Sequence, residues 1–184
     1  MVIGRVLSPI HSLGPGNRVG LWMQGCSKHC PGCISPELQA PGGKDIREAD
    51  LAGLLCQLAR VNDCTGLTVS GGDPFEQAEA LLRLLRLVRP RFQDILVYTG
   101  FTLEELTGGA ERECLRYIDV LIDGPYIREL NHPDCVLRGS ANQTIHFLTR
   151  ERRALYEQYM KKGRVIETFV HNDKTIITGI LDEV

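Results

Sequence analysis

The chain has 184 residues, 43% hydrophobic and 24% charged, with 21 Lys and Arg against 23 Asp and Glu for a formal net charge of −2. This suits one ordinary globular domain and excludes a disordered chain, and no apolar run approaches the roughly 18–20 residues of a membrane-spanning helix. Met1 to Val6 show no basic segment followed by an apolar core, and the balanced charge argues against a dedicated nucleic-acid binder, so a cytoplasmic protein that binds neither membrane nor nucleic acid is expected.

In chain order, residues 1–8 and 18–23 read as short strands, with Gly14-Pro15-Gly16 as the turn between them. Residues 24–36 read as loop. Asp45 with Glu48 resembles a capping box that opens a helix to about Arg60, with Ile46, Ala49, Leu54, Leu55 and Leu58 as inner positions. Gly66–Ser70 is a strand running into Gly71-Gly72-Asp73-Pro74, and a helix follows to Val88 with Ala78, Leu81, Leu82, Leu85 and Val88 along one stripe. Asp94–Thr99 and Asp119–Asp123 are further strands, and Thr102 with Glu105 is expected to cap a short helix between them. Residues 150–162 read as a polar helix. Arg164–Val170 and Thr175–Ile180 form a hairpin around His171-Asn172-Asp173-Lys174.

Strands alternating with helices predict a mainly parallel sheet, with ligands beyond the carboxyl ends of its strands. Ser70-Gly71-Gly72-Asp73, Tyr98-Thr99-Gly100 and Asp123-Gly124-Pro125 all fall at such ends, and the loop after residue 23 follows another. The expected fold is α/β. A full eightfold α/β barrel takes about 250 residues, more than this chain offers, so six strand–helix units are the upper limit.

The seven cysteines are an odd number, which with no secretory signal makes a disulfide framework a poor reading. Three of them, Cys26, Cys30 and Cys33, lie within eight residues and offer three soft thiolates for iron–sulfur or zinc. A closed zinc knot needs a fourth ligand, and His29, the only nearby candidate, adjoins Cys30 awkwardly. Three thiolates on a four-iron cluster would leave one iron open to a ligand. Cys56, Cys64, Cys114 and Cys135 read as small core residues.

The spacing Cys26-x3-Cys30-x2-Cys33 resembles the signature of the radical S-adenosylmethionine superfamily. Within it the chain is most similar to the activating proteins of anaerobic (class III) ribonucleoside-triphosphate reductase. The resemblance spans about residues 14 to 148. It rests on Gly14-Pro15-Gly16-Asn17-Arg18, Gly25 to Cys33, Leu67 to Pro74, Val97 to Leu106, Asp119 to Gly124, and Arg138 to Gln143, in that order.

The resemblance implies a partial, open (β/α)6-like barrel over residues 1–149, with a helix and β-hairpin extension over residues 150–184 packed on the same domain. It implies a [4Fe-4S] cluster on Cys26, Cys30 and Cys33, with S-adenosyl-L-methionine on its open iron. Gly71, Gly72, Asp73 and Pro74 would lie beneath the methionine part, and Thr99 and Asp123 would contact the cosubstrate. The implied reaction is reductive cleavage of S-adenosylmethionine and radical transfer to a glycine of anaerobic ribonucleotide reductase or another glycyl-radical protein. A low-potential donor such as flavodoxin or ferredoxin would supply the electron.

The chain departs from the family in carrying Ile34 where an aromatic often follows the last cysteine, and Pro125 where a lysine is usual. The extension leaves room for another radical SAM target, a different protein, peptide or small molecule. A non-catalytic metal-stabilised binding module is the remaining alternative. Arg138 and Asn142 read as loop-holding or functional, His132 and His171 as surface residues, Arg83, Arg86 and Arg89 as a solvated helix face, and Trp22 as core.

Overall fold

Alternating side chains decide the layers. Leu67, Val69, Ile95, Val97 and Leu121 point to one side, where they meet Leu51, Leu55, Leu81, Leu85 and Val88 in the main core. Leu96, Val120 and Ile122 point to the other side and pack with Leu137, Tyr156 and Tyr159. Strands apolar on both faces belong in the middle of a covered sheet.

The computed structural model describes residues 1–171 and 174–181. Its central sheet comprises β1 (Val2–Ile10), β2 (Arg18–Met23), β3 (Lys44–Asp45), β4 (Gly66–Gly71), β5 (Asp94–Tyr98), β6 (Val120–Asp123) and β7 (Thr144–Phe147), in the order β3-β1-β2-β4-β5-β6-β7. β2, β4, β5 and β6 run parallel, while β1, β3 and β7 are antiparallel to their neighbours. The α/β class and mainly parallel sheet match expectation, with four strands in the parallel core. Between them lie α1 (Glu48–Val61), α2 (Ala78–Val88) and α3 (Gly109–Leu115). After β7 come α4 (Arg153–Met160) and a separate two-stranded sheet of β8 (Ile166–His171) and β9 (Lys174–Gly179). The hairpin was expected. Asn172 and Asp173 in its turn lie outside the described residues.

Local expectations need three corrections. Asp45 does not cap α1, because it pairs with Val2 at the sheet edge and its carboxylate faces the Met1 amino group at 3.2 Å. The cap position is Arg47, which makes no side-chain cap bond. The buried stripe of α1 is Leu51, Ala52, Leu55 and Ala59, while Ala49 and Leu54 are exposed. Thr102 and Glu105 close a turn instead of opening a helix. The Thr102 N–H donates to Glu105 Oε2 and the Glu105 N–H to Thr102 O, and α3 begins at Gly109.

One polar group binds the sheet from within. Arg18 is fully buried at the start of β2, and its guanidinium donates to Asp94 Oδ2 (2.5 Å), Thr68 Oγ1 (2.6 Å) and Leu67 O (2.8 Å). The Tyr156 hydroxyl of α4 donates to the same Asp94 oxygen at 2.8 Å. A buried charge persists only when paired and hydrogen-bonded, and this one ties β2, β4, β5 and α4 together.

Candidate functional site

β2 and β4 pair in register to their last residues, Met23 against Gly71. The cysteine loop and the Gly-Gly-Asp-Pro turn therefore leave the sheet side by side. The Gly72 N–H donates to Met23 O (2.9 Å) and the Asp73 N–H to Gly25 O (2.8 Å), stitching the two loops together. Gly71 has φ +109, and a Cβ there would stand 2.3 Å from the Met23 nitrogen. A Cβ on Gly72 would stand 2.2 Å from Gly25 O. Only glycine permits this approach.

The cysteine loop is clasped from both flanks. The Ser27 N–H and hydroxyl donate to Glu76 Oε1, at the first turn after Pro74. Lys28 donates to Glu105 at 3.3 Å and lies 4.0 Å over the Phe101 ring. The Cys33 N–H donates to Cys30 O in a tight turn, and His29 takes a left-handed φ of 45. All three loop cysteines are partly buried and free. Burial and, secondarily, the charge of Asp73 push the Cys26 thiol up, so a bare thiolate there is disfavoured and gains from a bound cation.

Around this loop opens a cleft that collects most of the expected site. Cys26, Cys30, Cys33, Gly71, Gly72, Asp73 and Thr99 all line it. Pro74 does not; it is buried at the start of the following turn. Asp123 does not line the cleft either, although Gly124 does. Its Oδ2 accepts from the Leu103 N–H at 2.6 Å and lies 2.9 Å from His146 Nε2, a partner no motif flagged.

Asp73 is 1% exposed and its carboxylate is hydrogen-bonded by the Thr99 hydroxyl, the Gly100 N–H (2.7 Å) and the Phe75 N–H (3.0 Å). It clasps the ends of β4 and β5. Burial pushes its pKa up to about 6 against the pull of these bonds.

Trp22 is 6% exposed, packs on Leu13 and also lines the cleft. The far wall was unforeseen: Tyr126, Gly139, Gln143 and Ile177 to Leu181 of the extension. Outside the cleft, Arg138 donates to Gln143 O and Asn142 to Pro125 O, so both hold loops. Arg83, Arg86 and Arg89 pair with Glu48, Glu113 and Asp119 on neighbouring elements.

The donor set suits an iron–sulfur cluster. A closed zinc site needs four ligands, and the loop supplies three thiolates. A four-iron cluster instead takes each thiolate on a different iron.

An α/β sheet that presents three free cysteines in one loop fits the class of iron–sulfur proteins. Residues 12–146 match the family described as a 4Fe-4S single cluster domain. The anaerobic ribonucleoside-triphosphate reductase-activating protein of Escherichia coli (strain K12) is 33% identical over 144 residues, covering 73% of this chain and 91% of that protein. The protein of the same name from Haemophilus influenzae is 39% identical over 141 residues, covering 72% and 89%. That from Enterobacteria phage T4 is 36% identical over 138 residues, covering 72% and 85%. The chain belongs to the 4Fe-4S single cluster family and, within it, to the anaerobic ribonucleoside-triphosphate reductase-activating proteins.

Among the described residues, no helix is long and apolar enough to cross a membrane.

Proposed function

We propose that this chain is a radical S-adenosylmethionine enzyme that activates anaerobic ribonucleoside-triphosphate reductase by generating its glycyl radical. The observation that carries the reading is the side-by-side exit of the cysteine loop and the Gly71-Gly72-Asp73 turn from β2 and β4 into one cleft. Cys26, Cys30 and Cys33 hold the [4Fe-4S] cluster. When bound, the cluster and S-adenosyl-L-methionine supply reductive sulfonium cleavage and the 5′-deoxyadenosyl radical that takes hydrogen from a glycine Cα.

The chain's own residues bind and orient. Gly71 and Gly72 keep the backbone free of side chains where the methionine part must lie close. Asp73 places negative charge near its cationic centres, held in one orientation by Thr99 and Gly100. Asp123 acts through Leu103 and His146, positioning the β6 end beside Gly124. Glu76 and Glu105 fix the cysteine loop from either side, and the walls of the cleft shield the reacting centre from water.

Residues 1–149 form the catalytic core in this reading, and residues 150–184 an extension on the same domain. The unjoined sheet edges β3 and β7 support a partial, open barrel. The protein works in the cytoplasm, consistent with seven free cysteines, and takes its electron from a low-potential donor such as flavodoxin or ferredoxin.

The test is anaerobic reconstitution with iron and sulfide, followed by reduction with S-adenosylmethionine and the reductase. Methionine, 5′-deoxyadenosine and a glycyl-radical resonance on the reductase are expected. A reconstituted protein that binds four irons and yields no cleavage products overturns the reading. One zinc per chain and no iron would point to a binding module.

A further inference from the structure

Gly32 stands between two of the ligand cysteines, in the turn closed by the Cys33 N–H on Cys30 O. Its φ of +74 is left-handed, and the space a side chain would need is already filled. A Cβ there would stand 2.6 Å from Nε, 2.9 Å from Nη2 and 3.1 Å from Cζ of Arg128. All three atoms belong to the guanidinium. The charged end of Arg128, and not its stem, therefore rests on the cysteine loop.

The segment that delivers this charge is firmly held. Arg128 opens a short helical turn, Arg128–Leu130, beyond the end of β6. Ahead of it the Ile127 N–H donates to Ser140 Oγ at 3.1 Å, and behind it Leu130 O accepts from the Ala141 N–H at 2.8 Å. Asn131 donates to Leu181 O at 2.9 Å and accepts from Arg164 at 2.6 Å, so the extension braces the same segment.

The charges around the loop give the contact its meaning. Three thiolates make the group held by the loop negative, and reduction of a cluster there adds one negative charge more. Two carboxylates oppose that addition. Asp73 is joined to the loop through its N–H on Gly25 O at 2.8 Å, and Glu76 accepts from the Ser27 N–H at 3.0 Å. Lys28, within the loop, shares its ammonium with Glu105 at 3.3 Å. Arg128 brings a permanent cation to the Cys30–Cys33 turn from a separate element. Iron–sulfur potentials follow local net charge, so a cation at this place favours the reduced form.

We propose that Arg128 is a positioning residue of the cysteine loop whose charge raises the reduction potential of the cluster, easing entry of the electron on which cosubstrate cleavage depends. This deepens the proposed function and rests on its cluster assignment.

The experiment uses the full chain, reconstituted anaerobically and poised with dithionite and redox mediators in the absence of S-adenosylmethionine. The paramagnetic resonance of the reduced cluster gives the midpoint potential, and iron content is read in parallel. Arg128→Gln and Arg128→Met remove the charge. Each is expected to lower the reduced-to-oxidised ratio at a fixed potential about tenfold, which is about 59 mV for one electron. Arg128→Lys keeps the charge and should keep the wild-type midpoint. Because Arg128 is exposed, the gap between wild type and Arg128→Gln should close towards about 1 M salt, where the Debye length is about 3 Å.

A wild-type midpoint in both neutral variants overturns the proposal. So does a lysine variant shifted as far as the glutamine one, or a gap that survives high salt. Loss of iron from both neutral variants overturns it as well, since the contact would then be structural support alone. A wild-type chain that binds zinc and no iron overturns the proposed function instead.

Discussion

The Thr99 hydroxyl stands 2.9 Å from one oxygen of Asp73 and 3.0 Å from the other, at the meeting of the β4 and β5 ends. Its proton serves one oxygen at a time while the N–H groups of Gly100 and Phe75 hold the carboxylate in place. Thr99→Val keeps the shape and removes the donor. It should cost about 1.5–3 kcal/mol, the range for a hydrogen bond to a charged group, and lower Tm by about 2–4 °C per kcal/mol. Thermal melting monitored by circular dichroism reads this, and an unchanged Tm would show that the clasp adds nothing to stability.

Asp73 also sets a pH dependence. Burial raises its folded pKa from 3.8 to about 6, so the native state holds this proton more tightly than the unfolded chain does. The group's favourable contribution is complete below about pH 4 and is lost as pH rises through about 6. Asp73→Asn should therefore flatten the stability difference between pH 4 and pH 7 by up to about 3 kcal/mol, since each pKa unit is about 1.4 kcal/mol. Urea unfolding at the two pH values gives the comparison; equal slopes in both proteins would count against a buried ionisable carboxyl.

The cysteines should divide sharply. Cys26→Ala, Cys30→Ala and Cys33→Ala are each expected to abolish S-adenosylmethionine cleavage and to lower bound iron. Cys114→Ala should retain both. Burial, with nearby Glu79 charge adding to it, pushes the Cys114 thiol up to about 12, and its sulfur faces Ala78 O at 3.5 Å. Colorimetric iron analysis after anaerobic reconstitution decides the matter, and iron loss in the Cys114 variant would contradict this division.

The hairpin anchor is sensitive to acid. Partial burial alone would raise the pKa of Glu167, but hydrogen bonds from His11 and Ser12 hold it below the ordinary carboxylate value of 4.5. Its stabilising contribution is present above that value and is lost as pH falls through the lower folded pKa. Trp22, the single tryptophan, packs beside Phe169 and Ile180 of the extension and reports the hairpin's position. In the cluster-free protein its emission should shift as pH drops below about 4.5, and Glu167→Gln should show that shift at neutral pH. Identical emission for variant and wild type across the range would remove Glu167 as an anchor.

Asp94 neutralises the buried Arg18. Asp94→Ala should cost about 3–5 kcal/mol by leaving that charge uncompensated, whereas Tyr156→Phe, which removes only a hydroxyl, should cost about 1–2 kcal/mol. Chemical denaturation of the two variants ranks them. A Tyr156→Phe loss equal to that of Asp94→Ala would mean that the α4 contact, and not the ion pair, dominates.

Strands of the parallel core were legible because Leu67-Thr68-Val69 and Val120-Leu121-Ile122 combine β-forming residues with turns on either side. The cysteine loop and glycine turn were legible because few other chemistries use those residues at that spacing. Their adjacency was not written locally, since it depends on strand order. β3 escaped notice because Lys44-Asp45 is a polar pair with no pattern apart from its partner, whereas Thr144–Phe147 alternates polar and apolar residues and its short strand was overlooked. The caps misled for a related reason: Asp45 and Thr102 each had a competing partner, a neighbouring strand and a turn. Arg18 sat in a recognised motif, but its burial required Asp94, 76 residues away. The hairpin was visible as strands, while its place on the cleft followed only from the anchors at His11, Ser12 and Asn131.

The close packing of Gly71 against Met23 also polices the alignment of the sheet. Slide β4 one residue along β2 and Ser70 would face Met23, where a side chain at the same backbone position would strike the main chain. Slide it the other way and Val69 and Leu67 would exchange their core face for the opposite one. The glycine turn that opens the cleft thus acts as a gauge on the pairing beneath it: a misaligned sheet cannot present a usable site.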